Sequence, residues 1–335
     1  MGKAWRWLLA LGTIALTTGA AADPRTLRIA YYDTELEAEG PGLLLRDLLA
    51  GKDPRFAALG QVVARVDPDI LVLAGIDYDA ENRALSALNA GFAAPYPHLF
   101  AARPNSGVPT GLDLDRNGRL GEARDAQGYG RFNGAAGLAV LSRLPLGPAR
   151  SFSELLWQDL PGSLMQPDDT GRDHQRLSSV GHWLIPAGPL TLGIFRATTP
   201  VFDGPEDRNG RRNADEIRFW QLLLAGEFGP PPAFPVVIGG ANLDPAKGDG
   251  RREAIHALLA DPALQDPRPT DGQGEVATVD WGGAGPGRMR VDYVLPSAAL
   301  QVVGSGVYWP VESSLAEAPQ LVGRHRLVWV DILKP

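Results

Sequence analysis

Residues 113–125, Asp113-Leu-Asp115-Arg-Asn117-Gly118-Arg119-Leu120 and onward to Asp125, carry the most explicit chemical spacing in the chain. Oxygen donors at positions 1, 3 and 5, glycine at 6 and an apolar residue at 8 match most of a twelve-residue calcium loop, in which position 7 contributes its backbone carbonyl. Here Arg119 occupies position 7, and position 12 is Arg124. The closing carboxylate must then come from Asp125 or Glu122. The spacing predicts a structural Ca²⁺ site at Asp113, Asp115, Asn117, Arg119 and Asp125, against the alternative of an ion-free turn rich in Asp and Asn. A second group, Arg208, Arg211 and Arg212, offers guanidinium forks that suit a phosphate or another anion. Neighbouring Asp203, Glu206, Asp207 and Asp215 offer these arginines an equally good ion-pairing role. Polar residues also close four apolar runs, at Asp33 with Glu35, Asn242 with Asp244, Asp292, and His325.

The elements that must position these groups follow from hydrophobic pattern. Strands are expected at 27–33, 70–76, 136–142, 177–184, 190–195, 234–238, 289–295, 300–303 and 327–332, and helices at 43–49, 54–65, 215–224 and 251–259. Strands and helices mix without a fixed repeat, and no linker divides them, so one α+β domain is expected over 23–335. Residues 1–22 read as a secretory signal peptide: Lys3 and Arg6 precede an apolar run ending near Leu16, and Ala20 to Ala22 supply a small-residue cleavage site. A periplasmic or secreted protein with no membrane anchor after cleavage follows.

The chain has 335 residues, 44% of them apolar and 21% charged, enough to bury a large core and too ordinary for disorder. It has no cysteine, which excludes disulfides and thiolate metal sites. Loss of Lys3 and Arg6 with the leader takes the formal net charge from −7 to −9. That balance does not favour nucleic acid as a partner.

Five segments in order, an opening strand ending Tyr32-Asp33-Thr34, Pro68-Asp-Ile-Leu-Val-Leu73, Gly239-Gly-Ala-Asn242, Arg290-Val-Asp-Tyr-Val-Leu295 and Arg324-His-Arg-Leu-Val328, give the chain a resemblance to the endonuclease/exonuclease/phosphatase superfamily. The resemblance spans Leu27 to Ile332. It implies a four-layer α/β/β/α sandwich of two mainly antiparallel sheets flanked by helices, with a site at one rim that hydrolyses a phosphate ester using Mg²⁺ or Mn²⁺. By the same resemblance His325 contacts phosphate and passes a proton, Asp292 orients it, Asn242 holds the transition state and Asp33 stands at the family's asparagine.

The chain departs from that pattern at four positions. Gly75 falls at the metal-binding glutamate and Gly240 at the water-activating aspartate; Arg196 replaces a second histidine and Arg324 an acidic residue. If extended backbone continues past the strand ends, Glu35, Asp77 and Asp244 would face the same way as Asp33, Gly75 and Asn242 and could rebuild a metal site with Asp33. Their alternative is to be solvated turn carboxylates. Two functions therefore remain open: a metal-dependent phosphoesterase-like protein with altered ligands, and an inactive calcium-binding protein that holds an anionic ligand through Arg196 with Arg208, Arg211 and Arg212. Either would act as a monomer on a phosphate-containing small molecule or polymer. A glycosidase or a Ser-His-Asp hydrolase lacks its expected framework here.

Overall fold

The computed structural model describes residues 25–335, so the leader expected at 1–22 lies outside the described residues. Along the chain, β1 (Thr26–Asp33), α1 (Leu43–Ala50), α2 (Pro54–Val66), β2 (Ile70–Ile76), α3 (Arg83–Ala90), β3 (His98–Phe100), β4 (Gly137–Ser142), β5 (Arg150–Ser151), β6 (His182–Ala187) and β7 (Leu190–Arg196) form the first part. There follow α4 (Arg208–Leu224), β8 (Pro235–Gly240), α5 (Arg252–Leu259), β9 (Val279–Asp280), β10 (Arg288–Met289), β11 (Asp292–Pro296), β12 (Val302–Val307), α6 (Ser313–Val322) and β13 (Val328–Leu333).

One sheet has the order β12-β13-β1-β2-β4-β3, a second has β11-β8-β7-β6-β5, and β9 and β10 form a small ribbon. Each large sheet contains one parallel pair, β1 with β2 and β7 with β8; the other pairings are antiparallel. Alternation along β1 shows how the layers arise. Ile29 and Tyr31 face the second sheet and join Ile194, Ile238 and Val294 in the inter-sheet core. Ala30 and Tyr32 face outward, into the layer made by Leu59, Val62 and Leu85 of α2 and α3. A strand buried on both faces reads as a continuous apolar run, which is why β1 and β2 are legible without alternation. On the far side, Ile217, Trp220 and Leu223 of α4 and Ile255 and Leu258 of α5 cover Phe195, Val237 and Tyr293. The result is the four-layer sandwich expected.

Local departures have local causes. Helix α4 starts at Arg208, about two turns before the expected Asp215, because its first turns bury polar side chains that hydrogen-bond rather than an apolar stripe. Residues 177–181 are not strand: Ser178 and Ser179 face buried partners on α4 instead of a neighbouring strand. The strand expected at 289–295 divides into β10 and β11 at Arg290, whose amide donates to Asp244 Oδ2 at 2.6 Å. Among the described residues no helix is long and apolar enough to cross a membrane.

Candidate functional site

The C-terminal ends of β1, β7 and β8 and the start of β11 meet at one rim, where the two sheets converge. Register fixes the neighbours: Asp292 lies opposite Gly240, and Gly240 opposite Arg196. Two buried polar residues of α4 hold the loops in place. Glu216 accepts from Thr198 N at 2.6 Å and from Ser179 N and Oγ at 2.6 and 2.7 Å. Asn213 Nδ2 donates to Thr198 O and Ala241 O, both at 2.7 Å, tying the loop after β7 to that after β8. Neither residue stands out in the sequence; the available signal was polar side chains on the inward face of a helix.

At the centre, His325 Nδ1 lies 2.8 Å from Asp292 Oδ2, and both are almost fully buried. Burial alone would lower the His325 pKa, but Asp292 and Asp33 outweigh it and raise it to about 9. Burial lifts Asp292 above the ordinary carboxylate range against the pull of His325. Trp281 sets its ring edge-on to the imidazole, 5.4 Å between centroids. Asp33, 1% exposed, forms an ion pair with Arg196, Nε to Oδ2 2.8 Å. Burial opposes the charge on Asp33, yet Arg196 and then His325 hold its pKa below the usual value. The approach is too poorly aligned to count as a hydrogen bond at Nε. The buried Tyr31 hydroxyl and Asp292 Oδ1 also lack a well-formed partner.

The carboxylates expected to rebuild a metal site do not assemble. The strand conformation ends before each of them, because Glu35 and Asn242 adopt left-handed backbone at φ 49° and 51°, and the β2/β4 register shifts between Ala74 and Ile76. The period-2 argument fails at all three places. Glu35 instead accepts from Arg324 N at 2.7 Å and Nε at 2.9 Å. Asp77 accepts from Ala38 N at 2.9 Å and Ala136 N at 3.0 Å, and burial raises its pKa to about 6. Asp244 caps the amides of Ala246, Lys247 and Arg290. Asp33, Glu35, Asp77 and Asp244 therefore do not fit a shared Mg²⁺ or Mn²⁺.

The two departures to glycine are sealed by their surroundings. Gly75 has φ +71°, and a Cβ there would lie 2.7 Å from Glu35 N and 2.9 Å from Asp33 Oδ1. At Gly240 a Cβ would lie 2.8 Å from the Tyr31 hydroxyl and 3.4 Å from Asp292 Oδ1. Asn242 donates from Nδ2 to Ala197 O at 2.8 Å, which leaves its second amide N–H and its carbonyl oxygen.

The profile of the Endonuclease/Exonuclease/phosphatase family matches residues 44–318, most of the chain. The chain belongs to that family. Among solved structures it is similar to an endonuclease/exonuclease/phosphatase from Beutenbergia cavernae at 18% identity, covering 92% of this chain and 72% of that one, with a TM-score of 0.55. It is also similar to a family protein from Leptotrichia buccalis at 15% identity, TM-score 0.52, with 91% and 99% covered. Sphingomyelinase C from Streptomyces griseocarneus gives 14% identity, TM-score 0.52, and the same coverage. At these identities the likeness establishes the fold. No curated protein matches the chain.

Outside the rim, the loop at 113–125 brings Asp113, Asp115 and Asp125 together with ligand oxygens within 4.8 Å of one another. Asp113 accepts from Asn117 N and Gly118 N, and Asp125 from Leu114 N and Glu122 N. Arg124, at the position of the usual closing glutamate, instead reaches Asp115 Oδ2 at 3.1 Å. The proposed anion clamp is not assembled. Arg208, Arg211 and Arg212 lie on the first turns of α4 rather than on a loop, and each is committed elsewhere. Arg208 donates to Leu114 O, Arg211 forms a bidentate pair with Asp169 at 2.7 and 2.8 Å, and Arg212 is buried among the carbonyls of Gln127, Arg176, Leu177 and Ser178. His182 is a packed core residue, stacked on Trp220, with a pKa that burial lowers to about 4.

Proposed function

We propose that this member of the endonuclease/exonuclease/phosphatase family is an exported, calcium-stabilised monomer that binds a phosphate-containing small molecule or polymer at its rim without hydrolysing it by the metal-assisted route. The observation that carries this reading is the Arg196–Asp33 ion pair. A permanent guanidinium neutralises the buried Asp33, whose other oxygen accepts only a long hydrogen bond from Glu35 N, at 3.4 Å. That guanidinium, together with a protonated His325, supplies the positive charge that a bound metal would otherwise offer an anion. The position of the water-activating carboxylate offers none: Gly240 has no side chain, and Asp292 opposite it is held by His325.

A second reading, residual phosphoester hydrolysis, is supported by the intact His325–Asp292 pair. A buried imidazolium of raised pKa can protonate a leaving group even where the base is missing.

Calorimetric titration with dimethyl phosphate tests the binding. Affinity should fall as salt rises and fall at least several-fold in His325→Gln, with the diester recovered intact. No saturable binding, or binding indifferent to His325→Gln, contradicts the proposal.

A further inference from the structure

A cavity of about 490 Å³ opens beside the rim, between the C-terminal end of α5 and β10. Its lining includes Asp244 and Arg290 but not His325, Asn242 or Asp292. Its size is that of a small organic ligand. Leu259, Val276, Ala277 and Met289 give it apolar walls. Most of its charged groups are already matched. Arg290 is held by Asp266 at 2.8 and 2.5 Å and lies over the Tyr293 ring, Arg288 pairs with Asp280 at 3.3 Å, and Asp244 is spent on three amides.

Among the described residues the two exposed cations in the lining, Lys247 and Arg268, form no salt bridge, although Arg268 is near enough to Asp266 to help hold its pKa down. Lys247 Nζ donates only to Arg288 O, at 3.2 Å. Arg268 holds left-handed backbone at φ 49°, fixed by its amide donating to Asp266 Oδ1 at 2.9 Å. A strained residue at a cavity wall is a cost to the fold that a ligand contact would explain. Three acids line the cavity, Asp244, Asp266 and Glu275; Asp244 and Asp266 are taken up by backbone amides and Arg290, and Glu275 opposes the two cations.

We infer that this cavity is a binding site for a small organic anion with an apolar body, its charged group between Lys247 and Arg268 and its apolar part against Leu259, Ala277 and Met289. The inference does not rest on the reading of the rim.

Phenylphosphonate, which cannot be hydrolysed as an ester, is the probe, with benzene and inorganic phosphate as its separated halves. In titrations of the full chain it should bind at least tenfold more tightly than either half. The double variant Lys247→Ala/Arg268→Asn should lose about tenfold or more; asparagine is chosen because it tolerates left-handed backbone. Removing the opposing charge with Glu275→Gln should tighten binding, and His325→Ala should leave it unchanged. Lys247, Arg268 and Glu275 are exposed, so their substitution leaves the core untouched, whereas His325 is buried and His325→Ala is titrated at a temperature below its own melting transition. Binding that ignores the double variant, binding lost in His325→Ala, or no binding of phenylphosphonate would each overturn the inference.

Discussion

The Tyr31 hydroxyl stands 2.8 Å from the point a Cβ on Gly240 would occupy. Gly240 is thus not simply a missing aspartate; its space is filled from the opposite sheet. Gly240→Asp alone should therefore destabilise the protein and fail to restore water activation, contrary to the simplest expectation from sequence. With Tyr31→Phe the nearest ring carbon is 3.6 Å away and the contact becomes ordinary. The two substitutions should be non-additive, the double variant more stable than the sum of the singles by on the order of 1–3 kcal/mol in denaturant unfolding. Additive effects would show that Tyr31 does not occupy this space.

Removing Arg196 strands a buried carboxylate. Arg196→Met should lower stability by roughly 3–5 kcal/mol, because Asp33 is 1% exposed and loses its counter-ion. Asp33→Asn added to Arg196→Met should recover much of that loss. If chemical denaturation finds the double variant no better than the single, the pair is not the electrostatic centre of the rim.

Protonation of His325 gives a pH dependence with a definite sign. Its folded pKa of about 9 lies above the ordinary 6.5, so its contribution is fully present below pH 6.5 and is lost as pH rises through 9. Stability should fall across pH 6.5–9 by on the order of 3 kcal/mol, and His325→Gln should flatten that part of the profile. An imidazole titration by nuclear magnetic resonance with a midpoint at or below 6.5 would contradict the charged assignment.

Calcium should raise the melting temperature by several degrees, since a ligand bound only by the folded state at a hundredfold excess over Kd stabilises by about 2.7 kcal/mol. Asp115→Ala should abolish the response. Arg124→Glu, which exchanges the arginine now paired with Asp115 for the usual closing carboxylate, should strengthen it. Identical melting curves with Ca²⁺ and with excess chelator would rule out the site.

The sequence made the frame legible where burial on both faces or period-2 alternation was strong, as in β1, β2 and β7, and it located the His325–Asp292 pair through the order of its motifs. It misled wherever backbone direction changed within two residues of a strand end. Left-handed Glu35 and Asn242, and the irregularity at Gly75, redirect Glu35, Asp77 and Asp244 into caps and ion pairs that no periodicity shows. Arg211 and Arg212 failed as anion ligands for a different reason. Their partners, Asp169 and the carbonyls near 176–178, are distant in sequence, and only the packing of α4 brings them close. Tyr31 was invisible as a site residue because an aromatic on a buried strand reads as core.

In the function proposed above, the Arg196–Asp33 pair stands where a bound metal would assist hydrolysis. The most direct measurement is steady-state turnover of a chromogenic phosphodiester and phosphomonoester by the full chain with Mg²⁺, Mn²⁺ or Ca²⁺, beside His325→Ala. The expected result is no metal-dependent turnover above the His325→Ala background. Turnover at ordinary enzyme rates, roughly 1–10³ s⁻¹, stimulated by metal and abolished in His325→Ala, would contradict it.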